Sequence, residues 1–211
     1  MILILLGAPG AGKGTQADYL KDVLKVPVIS TGNLLRGAIA QGNELGDAAK
    51  HYMDKGQLVP DDIIVDLVLQ ELRSDECEKG AILDGFPRTV AQAEALDSHM
   101  HVDVALSIEV PDEHIVSRMA GRRTCPKCQS TYHIINHPPR VEGICDKCGT
   151  RLEIRKDDAP DIVRQRLVTY HNQTEPVKHY YAAQGNLICM DGVGSVPETR
   201  QRALRALEGW I

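Results

Sequence analysis

Five short apolar runs punctuate the chain, at residues 2–6, 27–29, 81–83, 104–110 and 186–190. They are too short for helices and do not alternate with polar residues. That is the pattern of strands buried on both faces of a parallel sheet. Amphipathic stretches with helical spacing separate them. Residues 61–73 (DDIIVDLVLQELR) are the clearest, with acids at the start and Arg73 at the end, as the helix dipole favours. Strand and helix in alternation predict a doubly wound α/β fold around a parallel five-stranded sheet.

Two stretches break the alternation. Residues 30–59 read as short helices with no strand of their own. Residues 122–159 carry four cysteines, Pro138–Pro139 and a Tyr/His/Ile mixture that suggests short antiparallel strands. The expected organisation is therefore a core made of 1–29, 60–121 and 160–211, with two insertions, 30–59 and 122–159.

The first apolar run leads directly into GAPGAGKGT, residues 7–15. This contains G-x-x-x-x-G-K between a predicted strand and a helix predicted over residues 13–23, the arrangement that cradles phosphates. Glycine lets successive N–H groups converge on one anion, and the helix adds the positive end of its dipole. Gly10, Ala11, Gly12, Lys13, Gly14 and Thr15 are the candidate phosphate ligands, with Lys13 the point charge. The residue after the lysine is Gly14 where a Mg²⁺-ligating Ser or Thr is usual. Any Mg²⁺ is thus expected to be held largely by phosphate and water, which that ion tolerates.

Composition narrows the classes. The formal net charge of −5 argues against a general nucleic-acid binder. No apolar run approaches the ~18 residues of a membrane span, and residues 2–6 lack the basic flank of a signal peptide. A soluble, cytoplasmic, monomeric protein is expected. With aromatics at 4% the core must be aliphatic.

Cys125-x₂-Cys128 and Cys145-x₂-Cys148 have the spacing of a tetrahedral two-knuckle zinc site, with a redox dithiol as the alternative. Four thiolates would leave no open position, so the metal would be structural. His133 could replace a ligand in principle. Cys77 and Cys189 stand alone and read as buried, reduced thiols.

Read together, GAPGAGKGT, STGNLLR (30–36), GQLVPDD (56–62), LDGFPRT (83–89), GRR (121–123), RKDD (155–158) and RQRL..Y (164–170) resemble the adenylate kinase family in order and over nearly the whole chain. The cysteine-bearing insertion is similar to the zinc-containing lids of bacterial members. The resemblance implies a fold of the P-loop NTPase type and reversible, Mg²⁺-dependent transfer between ATP and AMP to give two ADP. It implies that 30–59 binds AMP and that 122–159 is a lid; lid closure is a recognised behaviour of this family.

The resemblance also implies residue roles. Lys13, Arg88, Arg122, Arg155 and Arg166 would act on the transferring phosphoryl group, with Asp84 orienting Mg²⁺ waters. Arg36 and Arg88 would hold the AMP phosphate, joined by Arg155 and Arg166. Thr31, Gln57, Leu58, Val59, Gly85 and Gln92 would form the AMP base pocket. Arg118, Arg122 and Gly194 would serve ATP with the loop. Asn33 departs from the family's usual Asp and carries no assigned catalytic role. UMP, CMP or GMP as acceptor, or nucleotide binding without turnover, are the competing readings.

Overall fold

The computed structural model describes residues 1–210. Its strands are β1 (Ile2–Leu6), β2 (Val28–Ser30), β3 (Ala81–Asp84), β4 (Val104–Glu109), β5 (Arg122–Thr124), β6 (Thr131–His133) and β7 (Leu187–Asp191). The α-helices are α1 (Lys13–Leu24), α2 (Thr31–Gln41), α3 (Glu44–Met53), α4 (Asp61–Leu72), α5 (Val90–Asp97), α6 (Asp112–Gly121), α7 (Pro160–Thr169), α8 (Pro176–Gln184) and α9 (Val196–Ala206). One five-stranded sheet has the order β2-β3-β1-β4-β7 with every pair parallel, and β5 pairs with β6 antiparallel.

The unbroken apolar character of β1 follows from its place in the middle of this sheet. Leu3 and Leu5 face one core, with Leu20, Leu106 and Ile115. Ile4 and Leu6 face the other, with Leu35, Leu83 and Phe86. All four are buried, and each contributes roughly 1.5–3 kcal/mol through transfer from water. Chain order reverses on the two sides of β1, which opens a crevice at its carboxyl end. The loop at 7–12 fills that crevice.

The predicted strands are all present, with small shifts. β2 runs on to Ser30. β7 begins at Leu187, since the Asn186 N–H donates back to the Tyr181 carbonyl of α8 at 3.3 Å, while its side-chain amide donates to the Val102 carbonyl at 3.0 Å. α2 and α3 make up the helical insertion. The second insertion holds β5, β6 and the bridges Thr124–Glu153, His133–His137 and Ile144–Arg151 around its own small core of Cys125, Tyr132, Cys145 and Leu152.

The expectation for the lone cysteines needs correction: Cys189 is exposed and Cys77 half-buried. β7 is an edge strand, and the Cys189 side chain stays open to solvent there. No described helix is long and apolar enough to cross a membrane.

Candidate active site

The loop between β1 and α1 turns through Gly7 and Gly12, at φ +135° and +103°. A Cβ on Gly7 would stand 2.6 Å from the Ile108 carbonyl oxygen, so the loop lies flat against the end of β4. α1 starts without a side-chain cap and without an acid in its first turn. Its leading N–H groups therefore point at the cavity as donors for an anion. Lys13 bends back over the loop and donates to the Gly7 and Ala8 carbonyls at 2.7 and 2.9 Å. Burial brings its ammonium down to about 8, against the pull of Asp84 and with the help of Arg88, Arg166 and Arg122.

Asp84 ends β3, in register with Leu5 of β1 and Ser30 of β2. The Ser30 hydroxyl donates to its Oδ2 at 3.3 Å. That oxygen would be 3.6 Å from a Cβ on Gly14, so the carboxylate sits beside the start of α1. A hard oxygen donor next to a phosphate loop suits Mg²⁺.

The arginines arrive from five places. Arg88, in the loop after β3, donates from Nε to the Gly85 carbonyl at 2.7 Å. Arg122, opening β5, grips the buried Asp158 through Nε at 2.8 Å and through Nη2. Arg166, on α7, reaches the Asp157 carboxylate at 2.8 Å and its carbonyl at 3.2 Å. The Arg155 Nε is buried with no hydrogen-bond partner among the described residues. Arg36, on α2, donates to Asn33 at 2.5 Å and to Gln129 at 3.1 Å. Burial lowers the pKa of Arg36, Arg88, Arg155 and Arg166, although guanidinium stays protonated. With Lys13 and Arg122, six cations face Asp84, Asp157 and Asp158. The excess positive charge, partly withdrawn from water, suits a polyanionic ligand.

Two cavities meet at this charge. The larger is lined by the whole of Gly10–Thr15 and by Asp84, Arg118, Arg122, Arg155 and Gly194. The smaller is lined by Thr31, Gln57, Leu58, Val59, Gly85 and Gln92. Lys13, Arg36, Arg88 and Arg166 border both. Arg155, assigned to the AMP side from the sequence, lines only the larger cavity. Arg118 bridges the Ala11 and Gly192 carbonyls at 3.2 and 2.8 Å, which fixes its guanidinium as a flat wall.

The polar groups expected to read a base already make bonds within the protein. The Thr31 hydroxyl donates to the Gly85 carbonyl at 2.8 Å. Gln92 is buried; its oxygen accepts from Arg88 N at 2.7 Å and its amide donates to Asp61 at 2.6 Å. An amide has two donors and two lone pairs, so one of each remains for a base edge.

In the lid, the Sγ atoms of Cys125, Cys128, Cys145 and Cys148 lie within 4.8 Å of one another. Three of the pairs stand 3.4, 3.5 and 3.6 Å apart, too long for a disulfide. Thiolates at 2.3 Å from one tetrahedral zinc would be about 3.8 Å apart, so the cluster fits that ion. Burial opposes ionisation of Cys145, yet hydrogen bonds from Tyr132 and from the Cys148 and Lys147 N–H groups bring it down to about 6. His133 stays outside the cluster; its Nδ1 accepts from the Ile135 and Asn136 N–H groups at 3.0 and 3.1 Å.

Sequence reading assigned no role to Ser30, Asp61, Gln129, Asp157 or Asp158. For Asp157 and Asp158 the signal was present, since RKDD places two acids beside Arg155. The others act across the fold on Asp84, Gln92 and Arg36, and nothing local marks them.

A phosphate loop on a parallel sheet, facing a cluster of half-buried arginines between two cavities, defines a nucleotide-dependent phosphotransferase. Comparison with known proteins narrows the class. The family profile described as adenylate kinase matches residues 5–186. A protein named adenylate kinase from Caldicellulosiruptor bescii is 50% identical over 212 residues, which is 98% of this chain and 99% of its own. One from Acetivibrio thermocellus is 50% identical over 214 residues, 99% of both chains, and one from Thermodesulfovibrio yellowstonii is 50% identical over 203 residues, 94% of both. The chain belongs to the adenylate kinase family.

Proposed function

We infer that this protein transfers the terminal phosphoryl group of ATP reversibly to AMP, giving two ADP. The observation that carries the reading is the pair of cavities meeting at Lys13, Arg36, Arg88 and Arg166. ATP occupies the larger, with its phosphates on the loop and its base against Arg118. AMP occupies the smaller, its base read by Thr31 and Gln92 and its phosphate held by Arg36 and Arg88.

An oxygen of the AMP phosphate attacks the γ-phosphorus, and the bond from that phosphorus to the β–γ bridging oxygen breaks. The attacking oxygen is already ionised, so no general base is required. Catalysis is positioning and charge stabilisation. Lys13, Arg88, Arg122, Arg155 and Arg166 surround the migrating charge in a site shielded from water, where fixed cations act most strongly. Mg²⁺ brought in with ATP would supply charge neutralisation, and Asp84, steadied by Ser30, would orient its water shell.

We propose that 30–59 and 122–159 are the AMP-binding and lid domains that close over the core, and that the four cysteines hold structural zinc. Both cavities are built from one chain, which supports a monomer as the working unit.

The test is a coupled turnover assay with ATP, Mg²⁺ and each of AMP, CMP, GMP and UMP. kcat/KM for AMP should exceed the others at least tenfold, because an unpaired buried polar group costs about 1–3 kcal/mol. Equal rates for AMP and CMP would refute the adenine assignment.

A further inference from the structure

Gln129 has φ +60°, in the left-handed region. It follows Cys128 as Gly149, at φ +71°, follows Cys148. The two turns match: Gln129 N donates to the Cys125 carbonyl at 3.0 Å and Gly149 N to the Cys145 carbonyl at 2.9 Å. The second knuckle fills this position with the residue that adopts it freely. The first fills it with a long side chain, at a conformational cost.

That side chain is fixed at both ends of its amide. Nε2 donates to the Pro126 carbonyl of its own turn at 3.1 Å, and Oε1 accepts from Arg36 Nε at 3.1 Å. Among the described residues, this is the hydrogen bond that joins 30–59 to 122–159. Arg36 Nη2 is held by Asn33, a second neutral amide, and Nη1 has no partner among the described residues. Two amides thus orient the guanidinium without neutralising it.

We propose that Gln129 is a latch: in nucleotide-free protein its carboxamide holds the lid against the helical insertion and presets Arg36, for which it is a positioning residue. The presetting rests on the reading of Arg36 as a ligand of the AMP phosphate. The bond to Nε leaves Nη1 available, so the latch stays engaged while phosphate binds. AMP then meets an ordered guanidinium, and closure of the lid and affinity for AMP are linked.

Gln129→Gly removes the carboxamide, with its bond to the Pro126 carbonyl, and supplies the residue the turn prefers, which offsets that loss in the knuckle. Fluorophores on non-canonical residues at the exposed positions Lys50 and Glu142 leave every cysteine untouched. In zinc-loaded, nucleotide-free protein, Gln129→Gly should lower the ratio of closed to open molecules about tenfold, the scale of one charge-assisted hydrogen bond. KM for AMP at saturating ATP should rise severalfold with kcat changed less, and the thermal midpoint should not fall. Gln129→Glu should close the free protein further yet weaken AMP binding, because a carboxylate neutralises Arg36. A distance distribution identical in Gln129→Gly and the unaltered protein would overturn the latch whatever the activity. A shifted distribution with unchanged KM for AMP would overturn the presetting. A shifted distribution in a protein that does not phosphorylate AMP would overturn the assigned activity and leave the latch standing.

Discussion

Arg122 holds Asp158 with two hydrogen bonds, from Nε to Oδ2 at 2.8 Å and from Nη2 to Oδ1, and the Asp158 side chain is wholly buried. The pair ties the first residue of β5 to the far end of the lid, so Asp158 sets where Arg122 points. Arg122 also lines the larger cavity, where the proposed reaction puts the transferring group.

Asp158→Asn should therefore lower kcat at least tenfold while changing KM for ATP and AMP about twofold or less. A charge-assisted bond contributes about 1.5–3 kcal/mol, and its loss should be felt most where charge moves. Steady-state kinetics on protein checked by circular dichroism decides this. A change confined to KM would make Arg122 a ground-state ligand.

Lys13 should link nucleotide binding to pH. Burial lowers its pKa to about 8, and a bound polyphosphate must raise it again. Near and above pH 8, ATP binding should take up protons, and affinity should weaken as pH rises further. Calorimetry in buffers of different ionisation enthalpy measures the uptake. Lys13→Arg keeps the charge and should abolish the uptake. Lys13→Ala should cut kcat strongly, since the charge it meets shifts during transfer. Uptake that persists in Lys13→Arg would assign it to another group.

The parts of this protein legible in the sequence are those carried by short contiguous stretches. β1 and its loop, the five buried strands and the two cysteine knuckles each depend on residues close together in the chain. Pairings across the fold were not legible. Nothing near Ser30 announces Asp84, 54 positions away, and nothing near Arg36 announces Gln129. Cys189 shows the same limit: its strand was evident, but exposure depends on β7 being an edge, which is a property of strand order. Gln92 is legible as an acceptor-pocket residue, while its bond to Asp61 appears only once α4 and α5 pack together.

His171 gives a small pH dependence of stability. Its Nδ1 lies 2.8 Å from Glu175 and its Nε2 3.0 Å from Asp112, bridging the start of α6 to the turn before α8. The hydrogen bond to Glu175, then that to Asp112, raises its pKa. A raised histidine stabilises fully below the unfolded value, about 6.5, and the contribution fades as pH rises through the folded value. His171→Gln should thus cost more stability at pH 6 than at pH 9. The ring is 43% exposed, so solvent screening keeps the difference below about 1 kcal/mol. Denaturant melts over that range measure it, and a cost independent of pH would show that the charge is not involved.

The cysteine cluster should act as a staple and not as a reagent. Four thiolates complete a tetrahedral shell, with no position for substrate or water, and Mg²⁺ prefers oxygen donors to soft sulfur. The lid core is only Cys125, Tyr132, Cys145 and Leu152, two of which are themselves ligands of the proposed site. Metal binding energy would therefore be a large part of the folding energy of this region. Removing zinc with a chelator, Mg²⁺ kept in excess, should lower the thermal midpoint by several degrees. At low temperature turnover should fall only partly, through a looser lid that misplaces Arg122 and Arg155. Acid should release the metal as the thiolates take up protons. The quadruple Cys→Ser variant should match the chelated protein in both respects. Complete loss of turnover at low temperature, in protein that circular dichroism shows to be folded, would place the cluster in the chemistry itself.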